Sequence, residues 1–177
     1  IIDAVSWRIL VDNIKFLYEG GVEPGAKTSS YRQWVETIKI YPKQHTDEFP
    51  FWESVISEQS DYYQYASKKR HFNGIEFDYE LTDLLLKKSN DAYHTEINDL
   101  LLTSLAYALK DQFGNNINHI TLEGHGREDI AANIDVSNTV GWFTTAYPTK
   151  LEVFDDMGST IKNTKEFLRS IPNKGIG

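Results

Sequence analysis

The chain has 177 residues, of which 40% are hydrophobic and 25% are charged, and these values are typical of one folded domain with a buried core. Its formal net charge of -8 would repel a phosphate backbone and argues against nucleic acid as a partner. With no cysteine in the chain, disulfide scaffolds, Cys-ligated zinc, iron–sulfur clusters and cysteine nucleophiles are excluded. We expect a cytoplasmic protein with no membrane partner.

The two ends of the chain resemble positions inside a longer fold. Residue 1 is Ile rather than Met, and the apolar opening lacks both the basic start and the cleavage site of a signal peptide. The other end stops in a glycine-rich turn at Gly177. We therefore expect a fragment at both ends.

The first third of the chain predicts three helices. Apolar residues recur every three or four positions from Ser6 to Glu19 and stop at a glycine pair, which predicts an amphipathic helix. Ser29 or Ser30 can cap a second helix that runs through Ile38. A third helix is predicted over Thr46–Ser60.

The middle of the chain predicts a basic bend, a strand and two helices. The basic cluster Lys68-Lys69-Arg70 has two interpretations, a solvated bend between two halves or a docking site for an acidic partner. Rough alternation over Phe72–Tyr79 indicates a strand. The pattern then predicts a short helix over Leu84–Lys88. It also predicts a long amphipathic helix over Thr95–Phe113, which Gly114 ends.

The last third combines strands and a helix. Apolar runs predict strands over Ile117–Leu122, Val140–Tyr147 and Leu151–Phe154, and an amphipathic helix over Thr160–Ser170. Helices that precede and separate strands predict an α/β fold with mixed α+β layers. All-α and all-β folds are excluded.

The strongest candidates for a catalytic role lie in one hexapeptide, Glu123-Gly124-His125-Gly126-Arg127-Glu128. On a strand, Glu123, His125 and Arg127 would share one face. A carboxylate whose pKa is set by such neighbours can transfer protons near neutral pH. An Arg–Glu ion pair that braces a glycine turn explains the same spacing equally well, and both interpretations stay open.

Other chemistries find little support in the sequence. There is no Gly-x-Ser-x-Gly elbow, and the glycines of the hexapeptide do not follow a phosphate-binding pattern. The five histidines contain no His-x-x-x-His pair, so we expect no metal site.

Several motifs in a fixed order resemble those of the epimerization domains of nonribosomal peptide synthetases, members of the condensation-domain superfamily. The resemblance runs over essentially the whole chain. The matching segments are Ile1–Arg8 (the end of the family's second core motif), Asn98–Leu102, Glu123–Glu128, Thr139–Pro148 and Pro172–Gly177. Ordinary condensation domains usually lack Glu-Gly-His-Gly-Arg-Glu. The chain departs from the family pattern at Ala4, where the family has glycine, and at Asn138, where it usually has arginine.

The resemblance implies a fold of two chloramphenicol-acetyltransferase-like halves with the active site in a tunnel between them. Residues 1–65 would be the end of the first half, and residues 66–177 most of the second. The implied reaction is L-to-D epimerization at the α-carbon of an aminoacyl or peptidyl thioester. The thioester is held on the 4′-phosphopantetheine arm of a peptidyl carrier protein, so the domain itself would bind no cofactor, and neighbouring synthetase domains would be its other partners.

The resemblance also assigns roles to residues. Glu123 would be the acid/base on one side of the tunnel, and Asp3, Asp12, His125 and Arg127 would support it. Asp3 would brace its loop through an ion pair, and Arg127 would be structural or would position the carrier arm. The family's two histidines would precede Ile1, so the chain alone is expected to be inactive. An amide-forming condensation domain and a catalytically inactive carrier-docking domain are the alternatives.

Overall fold

A computed structural model describes residues 1–57 and 74–177 of the chain. Three sequence predictions lie outside these residues: the basic cluster Lys68-Lys69-Arg70, the end of the third helix beyond Ser57, and the start of the strand at Phe72. The expected boundary between residues 65 and 66 also lies outside them. The division into 1–65 and 66–177 therefore stays a prediction.

Helices and strands both occur in the described residues, which confirms the mixed α/β prediction. Short 3₁₀ segments add to them at Thr46–Glu48 and Pro172–Gly175. The helices and strands are α1 (Ala4–Tyr18), α2 (Tyr31–Gln44), α3 (Phe49–Ser57), α4 (Tyr79–Lys87), α5 (Ile97–Phe113), β1 (Ile117–Gly124), β2 (Thr145–Glu152) and α6 (Met157–Ser170).

Polar side chains fix where the first two helices begin. The Asp3 carboxylate accepts a hydrogen bond from the Ser6 backbone N–H at 2.7 Å and caps α1. Ser30 and Gln33 form a capping box at the start of α2, in which each side chain satisfies a backbone donor of the first turn. Both helices follow the predicted pattern, and α1 begins two residues before the predicted Ser6 because its cap is Asp3.

The strand predicted to end at Tyr79 is wrong over its described part. Residues 74–78 have no regular structure, and Tyr79 opens α4. Asp78 caps this helix by accepting a hydrogen bond from the Leu81 N–H at 2.8 Å. Ile75 is 86% exposed, so the alternation here does not mark a buried strand face.

The strands predicted over Val140–Tyr147 and Leu151–Phe154 are confirmed only in part, because one strand, β2, covers the end of the first and the start of the second. In the segment before β2, backbone groups form hydrogen bonds with side chains instead of with a neighbouring strand. The Thr139 carbonyl accepts from Arg127 at 2.8 Å, and the Phe143 N–H donates to Asp3 at 3.1 Å. Regular pairing therefore begins only at Thr145.

Strands β1 and β2 pair in a two-stranded sheet. At one end the Val153 N–H donates to the Asn116 carbonyl at 2.8 Å, and at the other end Gly124 lies beside Thr145. The start of β1 thus lies next to the end of β2, which makes the pair antiparallel.

The chain divides into two compact units, and the first comprises residues 1–53, 121–147 and 171–177. Its core is aromatic and aliphatic and contains Trp34, Tyr41, Val136, Phe143 and Ile176. This unit also holds the hexapeptide Glu123–Glu128 and the start of α1.

The second unit comprises residues 54–120 and 148–170. In it α5 packs against α6, and the Tyr107 hydroxyl lies 3.2 Å from the Thr160 hydroxyl. Among residues 1–57 and 74–177, every helix is too short or too polar to cross a lipid bilayer.

Candidate active site

The hexapeptide Glu123–Glu128 begins on β1 but leaves the strand after Gly124. The strand geometry that would align Glu123, His125 and Arg127 on one face therefore does not continue. Gly126 has φ +66°, a left-handed backbone that turns the chain away from the strand direction. Arg127 is buried, whereas Glu123 and His125 are exposed.

Arg127 is almost completely buried, with 7% of its side chain exposed. Its Nη1 donates to the carbonyl oxygens of Val136 at 2.7 Å and Thr139 at 2.8 Å. Its guanidinium also lies 3.9 Å from the centre of the Phe143 ring, a cation–π contact. Arg127 thus connects the hexapeptide to the segment that leads into β2.

The other guanidinium nitrogen connects Arg127 to the start of α1. Nη2 donates to the Asp3 carboxylate at 3.2 and 3.3 Å and to the Ser6 hydroxyl at 3.0 Å. The Ser6 hydroxyl also donates to the Gly141 carbonyl at 2.9 Å. Together these groups form one buried hydrogen-bonded network, which we call the Arg127 network (Asp3, Ser6, Arg127, Gly141 and Phe143).

The Asp3 carboxylate is ionised within this network. Its burial by itself would raise the pKa of Asp3, but hydrogen bonds from Ser6, Phe143 and Arg127 outweigh burial and hold the pKa below its usual range. Hydrogen bonds that satisfy the charged form of a carboxyl favour ionisation.

This pKa shift predicts acid sensitivity. A carboxyl whose pKa is depressed by folding stabilises the protein fully above its ordinary pKa of about 3.9, and that contribution is lost as the pH falls through the lowered value. We expect Asp3→Asn to flatten the dependence of the free energy of unfolding on pH below about pH 5, measured by urea denaturation. Identical slopes for the variant and the wild type would contradict the assignment.

His125 and Glu128 of the hexapeptide form a second cluster, together with Lys174. The Glu128 carboxylate lies 3.2 Å from His125 Nε2 and 3.1 Å from Lys174 Nζ. The Arg127 backbone N–H donates to His125 Nδ1 at 3.0 Å, which orients the imidazole. His125 is therefore engaged with its own hexapeptide neighbours.

Glu123 and Asp12 are both exposed. Glu123 is the last residue before Gly124 at the end of β1, and Asp12 lies on α1. Within the described part of the chain, no hydrogen bond or ion pair joins Asp12 to the hexapeptide. The structure therefore brings Asp3 and Arg127 together and leaves Asp12 apart from them.

Sequence reasoning missed Ser6 and Phe143 as members of the Arg127 network. Ser6 is completely buried, and its hydroxyl donates to the Gly141 carbonyl and accepts from the Gly141 N–H. Both residues belong to segments on which the family resemblance rests, Ile1–Arg8 and Thr139–Pro148. Their location in these motifs was the available signal, but only the structure shows that the two motifs meet at Arg127.

The turn after α6 lies against the hexapeptide. Asn173 (φ +40°) and Lys174 (φ +51°) are left-handed, and Gly175 (φ +78°) continues the turn. A left-handed backbone costs about 1–2 kcal/mol for a residue with a side chain. Gly175 packs directly on the Tyr147 ring, and burial together with the nearby Glu128 charge raises the pKa of Tyr147.

Gly126 is predicted to tolerate no side chain. A Cβ there would collide with the Phe143 carbonyl group, whereas a Cβ at Gly114, which is also left-handed, would enter open space. We expect Gly126→Ala to lower the free energy of unfolding by clearly more than Gly114→Ala, which should cost about 1 kcal/mol. Denaturation curves of both variants test this, and equal losses would contradict the contact.

Among residues 1–57 and 74–177, no group of three or more His, Asp or Glu side chains is arranged to hold a metal ion.

The condensation-domain family model matches residues 1–177, and the chain therefore belongs to the condensation-domain family. Its fold agrees with this assignment. The first condensation domain of the CDA synthetase superposes with a TM-score of 0.74 at 16% identity, over 96% of this chain and 40% of that one. The family fold predicted from the sequence is confirmed.

Proteins of nonribosomal peptide synthesis are more similar to this chain. The epimerization domain from the third module of tyrocidine synthetase B is 34% identical with a TM-score of 0.79, over 99% of this chain and 43% of that one. Bacitracin synthase 3 of Bacillus licheniformis is 40% identical over the whole chain, which spans 3% of its length. Gramicidin S synthase 1 of Brevibacillus brevis is 38% identical, and the chain spans 18% of it.

Proposed function

We propose that the chain is part of an epimerization domain that converts the α-carbon of an aminoacyl or peptidyl thioester from L to D. The thioester would be presented on the 4′-phosphopantetheine arm of a peptidyl carrier protein, with neighbouring synthetase domains as further partners. The similarity to a solved epimerization domain supports this reaction over others of the family.

One contrast within the hexapeptide carries the proposal. Arg127 is buried with its Nη1 and Nη2 donors directed at protein groups, whereas Glu123 is exposed at the end of β1. An exposed carboxylate next to a rigidly held turn is suited to reach a substrate proton. The protein contacts of the Arg127 network support a structural or positioning role for Arg127 and Asp3.

The proposed reaction needs only proton transfers. A thioester acidifies its α-proton, and Glu123 would exchange that proton on one face of the α-carbon. The electrons of the broken C–H bond move onto the thioester oxygen as an enolate, which needs hydrogen-bond stabilisation. A second group, outside the hexapeptide, would exchange a proton on the opposite face, so that configuration inverts with no net oxidation or reduction.

Amide formation is the second candidate, because the matching family model is that of the condensation domain. The test uses a full-length domain that contains this chain, together with a carrier protein loaded with an L-aminoacyl group. After hydrolysis of the thioester, chiral separation should show a mixture of D and L amino acid. Unchanged L configuration together with amide formation on an acceptor-loaded carrier would replace epimerization by condensation.

A further inference from the structure

A buried carboxylate, Glu48, lies outside the hexapeptide and has no role in the chemistry above. Only 7% of the residue is exposed. Its Oε1 accepts hydrogen bonds from the Tyr41 hydroxyl at 2.6 Å and from Asn173 Nδ2 at 2.9 Å, and Trp52 Nε1 lies 3.4 Å from Oε2. All three donors are neutral and come from the protein. This carboxylate is therefore occupied with holding protein groups rather than a substrate.

The bond from Asn173 has a specific structural consequence. Asn173 is the first of two left-handed residues with side chains in the turn after α6. Such a backbone persists only where surrounding contacts hold it. The Glu48 carboxylate supplies that contact, because it binds the Asn173 amide and is itself fixed by Tyr41 and Trp52.

The second left-handed residue, Lys174, lies close to the hexapeptide at two places. Its carbonyl oxygen lies 3.5 Å from the position that a Cβ would take on Gly124, which follows Glu123. Its ammonium group lies 3.1 Å from the Glu128 carboxylate. The backbone of the turn therefore lies beside Gly124, and the Lys174 ammonium group pairs with Glu128 at the end of the hexapeptide.

From these contacts we infer that Glu48 is a positioning residue for Glu123. It holds the turn Asn173–Lys174–Gly175 in its left-handed form, and the turn fixes the end of β1 where Glu123 projects. The inference rests on the proposed function in so far as Glu123 is the acid/base. A misplacement of about 1 Å at a reacting group can cost about 100-fold in rate, so loss of the turn should lower kcat far more than it changes KM.

The test compares four variants in the full-length domain with a loaded carrier. Glu48→Met should lower kcat for α-proton exchange by about 100-fold, and Glu48→Gln, which keeps an acceptor for Asn173, should retain most of it. Adding Asn173→Gly to Glu48→Met should restore kcat to within about tenfold of wild type, because glycine adopts the left-handed turn without a side-chain contact. The exposed Glu53 on α3 provides the control, Glu53→Met, with unchanged kcat.

A second measurement does not depend on activity. Amide hydrogen exchange over residues 121–128 should accelerate in Glu48→Met and in Asn173→Ala, and Asn173→Gly should restore protection to Glu48→Met, while exchange in α5 stays unchanged. Unaltered exchange at 121–128 in both variants, or failure of glycine to restore it, overturns the inference. Absence of α-proton exchange in the wild type would instead contradict the proposed function, and the amide measurement would still decide the role of Glu48.

Discussion

Replacing Glu123 by Gln in a full-length domain is expected to reduce the rate of α-proton exchange by about 10²–10⁴-fold, the usual contribution of a general acid or base. Gln keeps the size of the side chain but cannot take up and release the proton. Because Glu123 is exposed, the free energy of unfolding should change little. The rate is measured as deuterium uptake at the α-carbon of a carrier-bound aminoacyl group in D₂O.

A neighbouring carboxylate provides the matched control. Asp129 is exposed and directly follows the hexapeptide, so Asp129→Asn removes the same charge at a similar place. We expect wild-type exchange in this variant. Equal losses in both variants would indicate a general electrostatic effect, and an unchanged rate in Glu123→Gln would remove Glu123 from the proton path.

Replacing Arg127 by Met should lower the free energy of unfolding by about 3–5 kcal/mol, the cost of removing one partner of a buried ion pair. The change leaves the buried Asp3 carboxylate without its cation and leaves the carbonyls of Val136 and Thr139 without their donor. Chemical denaturation followed by tryptophan fluorescence measures the loss. The exposed Arg8 on α1 is the control, and Arg8→Met should cost less than about 0.5 kcal/mol.

The double variant separates the ion pair from packing. Asp3→Asn combined with Arg127→Met should lose less stability than the sum of the two single losses, because no charge is then buried alone. Additive losses would show that the two side chains act independently. A loss below about 1 kcal/mol for Arg127→Met would contradict the central place of the Arg127 network.

Local sequence signals predict the helices well because their causes are local. Helix α5 follows its apolar pattern and ends at Phe113 before Gly114, whose φ of +76° makes it the C-cap. Helix α2 follows from the Ser30 cap. The family and its fold were also predictable, because the motifs occur in the expected order along the chain.

Features that depend on contacts between distant residues were harder to predict from the sequence. The segment before β2 looks like a strand, but bonds to Arg127 and Asp3, more than ten residues away, use its backbone groups. The same long-range contacts decide that Arg127 is buried while Glu123, four residues earlier, is exposed. The sequence reveals nothing of the Glu48–Asn173 bond, which joins residues 125 positions apart.

Proton transfer at the α-carbon by a domain that contains this chain is tested most directly in a single reaction in D₂O. The mixture contains the full-length domain, a carrier loaded with an L-aminoacyl group and a second carrier with an acceptor amine. Mass spectrometry then follows both α-deuterium uptake and amide formation. Uptake accompanied by D product, and lost in Glu123→Gln, is the predicted result, whereas amide formation without uptake would contradict it.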